Sequence, residues 1–203
     1  MNARAGALAW AVAGRPLPGQ VESGDAALVL DRGGDVLVAV VDGLGHGPEA
    51  AAAARAACAA LSATKGDLEA LFQACHASQR KERGVAMSAA LVEPDGNLSW
   101  AGVGNVEGFV VRASLGLPQD SGHERLLMRG GVVGGAMPPI RPGGLALRRG
   151  DTLVLATDGV GDDAARSCDA RPPDLLAPHL LDRHAKETDD ALVLVARWMG
   201  SGP

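Results

Sequence analysis

The stretch that decides the fold runs from Val36 to Leu61, VLVAVVDGLGHGPEAAAAARAACAAL. Its first six residues are apolar and mostly β-branched, which reads as a buried strand. The strand runs straight into Asp42-Gly43-Leu44-Gly45-His46-Gly47, a glycine-dense turn. Pro48 is suited to a first helical position. The alanines that follow are the strongest helix formers and leave a helix slim enough to lie close on a sheet. The reading is strand, tight turn and buried helix, with an aspartate at the junction.

Working outward, residues 26–31 and 35–41 form a hairpin across Asp31-Arg32-Gly33-Gly34. Residues 7–13 suit an earlier strand. Asp67 caps a second helix over 68–82, with Leu68, Leu71, Phe72 and Cys75 on one stripe. Strands follow at 86–93 and 97–103, joined by Pro94-Asp95-Gly96, and at 106–112. Residues 113–124 are a polar loop, 125–129 a short strand and 130–144 a loop rich in glycine and proline. Segments 145–149 and 152–157 read as a hairpin around Arg149-Gly150-Asp151. A helix over 172–186 and a strand over 191–198 close the chain. Consecutive strands with grouped helices point to an α+β fold of antiparallel sheets covered by helices.

Composition narrows the function classes. The 203 residues predict one domain, 1–203. Hydrophobic residues at 47% and charged residues at 21% exclude a disordered chain. The net charge of −5 argues against nucleic acid as a partner. So do the aromatics, 2 Phe, 3 Trp and no Tyr, because base stacking needs more. Cys58, Cys75 and Cys168 make no C-x-x-C pair, which speaks against a disulfide framework or a thiolate zinc site. Cys58 and Cys75 read as small apolar residues on helices. No stretch reaches the roughly 18 apolar residues of a membrane span. Ala5 to Gly14 is apolar but follows a single Arg4, and reads as a strand rather than a leader. The expectation is a cytoplasmic protein with no membrane contact.

The aspartates carry the chemistry. Asp42 ends one apolar strand and Asp158 another, each followed by glycine. Asp189 and Asp190 immediately precede the last strand, and Asp25 precedes the strand at 26–31. One aspartate at a strand end is an ordinary turn residue. Several at the ends of buried strands are not, because a sheet gathers such ends along one edge. Clustered carboxylates repel, and a divalent cation relieves the repulsion. All-oxygen donors without Cys favour hard ions, Mg²⁺ or Mn²⁺. Glycine beside Asp42 lets the backbone approach, so the Gly43 carbonyl is a further donor. Two such ions suit phosphoryl chemistry.

These residues resemble the SpoIIE-type branch of the metal-dependent protein phosphatases, the PPM superfamily. D-G-L-G-H-G at 42–47 before an Ala-rich helix is similar to that branch's signature. S-G-D at 23–25, G-V-G-N at 102–105, R-R-G-D-T-L-V-L-A-T-D-G-V at 148–160 and T-D-D-A-L-V-L-V-A-R at 188–197 follow in family order. The resemblance spans residues 7–198 and is strongest to the stand-alone RsbX type, through G-V-G-N-V-E-G at 102–108. It implies a four-layer α-β-β-α sandwich, two antiparallel sheets flanked by helices. It implies a monomeric serine/threonine phosphatase with two Mn²⁺ or Mg²⁺ ions. Its substrates would be phosphorylated STAS-domain proteins of a stressosome or partner-switching stress-response module. Asp42 and the Gly43 carbonyl would hold the metals, with Asp158 and Asp189 as the other main carboxylates. Asp25 would be a ligand or stand just behind one, and Asp190 would be secondary. One departure is Leu192, where the family usually has Thr.

His46 lies in the glycine turn, where it could protonate the leaving serine oxygen or simply cap the following helix. His76, His123, His179 and His184 show no ligand spacing and read as surface residues. Asn105 reads as a structural amide at a strand turn. Gly130 to Gly144 lacks the G-K-[ST] ending of a nucleotide loop; with residues 113–124 it is a candidate rim for partner recognition. Two rival functions remain. One is a phosphoprotein-binding module of the same fold with little or no catalysis. The other is a small-molecule phosphatase using the same two-metal site.

Overall fold

The strand expected over 36–41 is Val36–Gly43, and its alternation shows how the layers form. Val36, Val38 and Val40 point into one apolar cluster, while Leu37, Ala39 and Val41 point into another. Both faces are covered, so the run is apolar at every position. The computed structural model describes residues 3–79, 82–113 and 123–200. The strands are β1 (Ala3–Ala5), β2 (Leu8–Arg15), β3 (Asp25–Asp31), β4 (Val36–Gly43), β5 (Val85–Val92) and β6 (Asn97–Val103), then β7 (Glu107–Val111), β8 (His123–Arg125), β9 (Gly143–Ala146), β10 (Thr152–Ala156) and β11 (Ala191–Trp198). The helices are α1 (Pro48–Ala63), α2 (Leu68–Ser78) and α3 (Pro173–His184).

Two antiparallel sheets form, β1-β2-β11-β10-β7-β8 and β3-β4-β5-β6-β9. Helices α1 and α2 cover the second sheet through Ala53, Ala57, Leu61, Leu71 and Phe72. Helix α3 covers the first through Leu176, Ala177 and Leu180. Between the sheets lies a third cluster, to which Leu192, Leu194 and Ala196 of β11 contribute. Val193 and Val195 face α3 instead. The result is the α-β-β-α sandwich that the resemblance implied.

The predicted signals at α1 and α2 hold. Pro48 opens α1, and the Asp67 side chain accepts the Ala70 N–H at 3.0 Å. Other expectations need correction. Segments 145–149 and 152–157 do not pair with each other. Strand β9 pairs with β6, whereas β10 pairs with β7 and β11 in the opposite sheet. The cause is the buried carboxylate of Asp151, which accepts the Arg148 N–H at 2.9 Å, the Ala113 N–H at 2.8 Å and an Arg112 N–H at 2.7 Å. These bonds turn the chain from one sheet to the other. Strand β8 begins at His123, ahead of the expected 125–129. Strand β1 and a 3-10 turn at Asp162–Ser167 were not expected. Residues 114–122 of the proposed recognition loop lie outside the described residues. Among the described residues no helix is long and apolar enough to cross a membrane.

Candidate active site

The inward-facing positions of the strands come out at one end of the sandwich. Asp42 continues the inward series Val36, Val38, Val40. Its direct cross-strand partner is Asp25, at the start of β3. Thr157 continues the inward series Leu153, Leu155 of β10, and Asp158 follows it. Asp190 precedes β11 in step with Leu192 and Leu194. Alternation along strands of two sheets thus brings these residues to one mouth.

Glycines set the close approaches. A Cβ on Gly43 would run into the backbone carbonyl of Ala50 in the first turn of α1. One on Gly159 would run into the backbone carbonyl of Asp190. The Gly43 N–H donates to the Gly24 carbonyl at 3.0 Å, and the Leu44 N–H to the Gly84 carbonyl at 3.1 Å. The D-G-L-G-H-G turn is therefore clamped between the β3 entry and the segment entering β5.

The side chains then form a network. The Thr157 hydroxyl donates to Asp25 Oδ2 at 2.7 Å and accepts the Leu192 N–H at 2.9 Å, tying the two sheets together. The Asn105 amide, on the turn between β6 and β7, donates to Asp158 Oδ2 at 2.5 Å. Asp190 is buried, and its carboxylate accepts the Leu17 N–H at 2.7 Å and the Gly24 N–H at 2.8 Å. Asp189 Oδ1 accepts the Asp190 N–H at 2.9 Å. His46 is exposed on the turn.

The electrostatics follow from this crowding. Burial, then repulsion from Asp25, Asp158 and Asp189, pushes the Asp42 carboxyl up to about 8, against the lowering effect of the Asn105 amide. Burial pushes Asp25 up to about 7, with Thr157 opposing and Asp190, Asp189 and Asp158 reinforcing. Asp189 is also raised, chiefly by burial. Among the described residues no three His, Cys, Asp or Glu side chains already stand at ligand spacing. The donor set nevertheless fits a hard divalent cation, because it is made of oxygens near enough to impede one another's ionisation.

The structure therefore brings Asp25, Asp42, Gly43, Asp158, Asp189 and His46 to one end of the sandwich. Asp190 is there too, with its oxygens turned to backbone amides. Sequence reasoning undervalued Asn105; its signal was a strand-end amide in G-V-G-N. Two histidines read as surface residues have partners. His76 Nδ1 accepts the Gly134 N–H at 3.0 Å, fixing the 130–142 loop, and His184 Nε2 lies 2.8 Å from Ser167 Oγ. That loop is also tied to β5 through two Val85–Val133 backbone bonds of 2.9 Å.

Comparison with known proteins agrees with this architecture. A solved structure described as the bacterial stressosome, a modular system adapted to control secondary messenger signaling, superposes with a TM-score of 0.84 at 29% identity, covering 94% of this chain and 99% of that one. RsbX in complex with magnesium gives 0.83 at 17% identity, covering 97% and 98%. The catalytic domain of the serine threonine protein phosphatase PstP, in complex with 2 manganese ions, gives 0.70 at 18% identity, covering 94% and 97%. No curated protein matches the chain in sequence. The sequence model of the family described as Stage II sporulation protein E (SpoIIE) matches residues 32–199, most of the chain. With that match, two antiparallel sheets flanked by helices and the D-G-L-G-H-G turn at their mouth, the chain belongs to the SpoIIE family of PPM-type proteins.

Proposed function

We propose that the protein is a Mn²⁺- or Mg²⁺-dependent protein serine/threonine phosphatase acting on phosphorylated STAS-domain regulators of a stressosome or partner-switching module. The observation that carries the chemistry is the convergence of carboxylates from four strand ends, with Asp42 and Asp25 held well above the usual carboxylate range. Such a site is poised to exchange protons for divalent cations. The likeness to a stressosome structure at 29% identity supports the partner class. The magnesium and manganese complexes of RsbX and PstP support the choice of ion.

In this reading Asp42, the Gly43 carbonyl, Asp158 and Asp189 hold two ions, and Asp25 stands as a ligand or directly behind one. Asp190 is a positioning residue, because its oxygens already fix Leu17 and Gly24. Bound divalent ions supply charge neutralisation and water activation for attack on phosphorus. Thr157 and Asn105 orient Asp25 and Asp158. In this reading His46, exposed on the D-G-L-G-H-G turn, passes a proton to the departing seryl oxygen. The protein would work as a monomer in the cytoplasm.

The test is phosphate release by the purified chain from phosphoserine peptides, phosphothreonine peptides and sugar phosphates, with Mn²⁺, with Mg²⁺ and with EDTA. Release from the peptides that needs the ion is expected. Preference for sugar phosphates would favour the small-molecule alternative. Phosphopeptide binding without turnover would favour the binding module.

A further inference from the structure

Asp25, Asp42, Asp158 and Asp189 together carry four negative charges when ionised. Two divalent cations cancel them. A centre so loaded would hold a phosphoryl group at short range through its ions, with little net charge left to draw a phosphate dianion in from a distance. A cation fixed at the rim adds to that attraction.

Among the described residues, Arg83 and Lys186 are cations close to that rim. Arg83 lies against Gly45 of the turn but is paired with Glu49, in the first turn of α1. Lys186 is exposed, and none of the ion pairs between described residues involves it. Its Nζ donates to the backbone carbonyl of Asp158 at 2.6 Å, and its backbone N–H donates to the Gly159 carbonyl at 2.7 Å. Both ends of the lysine are thus attached to the segment that carries Asp158.

The surrounding backbone is braced. Val160 and Ala185 form an antiparallel bridge, and the Gly161 N–H donates to the His184 carbonyl at 2.9 Å. Arg15 Nη2 donates to the carbonyls of Ala185 and Lys186 at 3.3 and 3.1 Å. An ammonium has three donors, and the Asp158 carbonyl uses one. The others are available beside a candidate metal ligand.

We infer that Lys186 grips the phosphoryl group of the phosphoserine or phosphothreonine substrate beside Asp158. The inference rests on the phosphatase reading for its substrate and on the two Lys186 hydrogen bonds for its place. The lysine acts as a point charge, so arginine substitutes for it in part.

The test uses the full chain loaded with Mn²⁺, as wild type, Lys186→Met and Lys186→Arg. Calorimetric titration measures Mn²⁺ affinity first, then the affinity of the loaded protein for inorganic phosphate. Mn²⁺ affinity is expected to stay within about twofold in both variants, because the side-chain ligands are untouched. Phosphate affinity is expected to fall about tenfold in Lys186→Met and to recover largely in Lys186→Arg. KM for a phosphoserine peptide should rise by about the same factor, with kcat changed less. Unchanged phosphate affinity in Lys186→Met overturns the inference. So does a parallel loss of Mn²⁺ affinity, which would mean that Lys186 acts through Asp158. A wild type that binds phosphate through Lys186 yet hydrolyses no phosphoester defeats the phosphatase reading and keeps the grip.

Discussion

Asp25 and Asp42 are direct partners across the β3–β4 ladder, on the face that looks into the space between the sheets. Like charges placed opposite each other destabilise a sheet. Both are also half-buried, and desolvation with the neighbouring carboxylates pushes Asp25 up to about 7 and Asp42 up to about 8. An arrangement that costs stability without a counter-charge fits a site whose other component is a cation.

The first prediction concerns pH. Both carboxyls are raised from 3.8, so between about 4 and about 8 the folded chain holds more protons than the unfolded one. Stability without metal is therefore greatest at the acid end of that window, as far as these groups contribute, and falls as pH rises through it. Asp42→Asn removes the part of the dependence that Asp42 contributes and leaves that of Asp25. At pH 8 in EDTA it should be more stable than wild type by on the order of 2 kcal/mol. Melting curves of the two proteins from pH 5 to pH 8 measure this. A wild-type-to-variant difference that does not grow with pH would contradict it.

Loss of a ligand should stop the reaction but spare the fold. Asp42→Asn and Asp158→Asn are each expected to lower kcat by about a thousandfold or more, roughly 4 kcal/mol of transition-state stabilisation. Circular dichroism should remain that of the wild type, since neither side chain belongs to an apolar cluster. Rates within a few-fold of wild type would move the site elsewhere.

Asn105 should matter through its amide. Asn105→Ala removes the 2.5 Å hydrogen bond to Asp158 and the donor that lowers Asp42. Residues that orient metal ligands typically contribute about 10- to 100-fold to metal affinity. Calorimetric titration with Mn²⁺ should show a loss in that range. An unchanged affinity would reduce Asn105 to a turn residue.

Two glycines are expected to be intolerant for steric reasons alone. A methyl on Gly43 meets the Ala50 carbonyl, and one on Gly159 meets the Asp190 carbonyl; both obstacles are backbone and cannot swing aside. Gly43→Ala and Gly159→Ala should each destabilise by about 3 kcal/mol or more. Gly34→Ala, where a Cβ meets nothing within 4 Å, serves as the mild control. Urea midpoints for the three variants give the comparison.

Much of this molecule was legible in its residues. The run Val36–Val41, the D-G-L-G-H-G turn and the Ala-rich helix lie next to one another in the chain, and local period and turn chemistry decide such units. Aspartates at strand ends could likewise be marked, because the strands announced themselves. Tertiary structure decided the rest, because it depends on which distant segments meet. It sent β9 to β6 and β10 to β7 and β11, since the buried Asp151 carboxylate turns the chain between sheets. It turned Asp190 toward the amides of Leu17 and Gly24, more than 160 residues away. It carried Asn105 to Asp158 and Lys186 to the Asp158 carbonyl. Strand periodicity fixes the face on which a side chain emerges, but a hydrogen bond between sheets exists only once the sheets have packed.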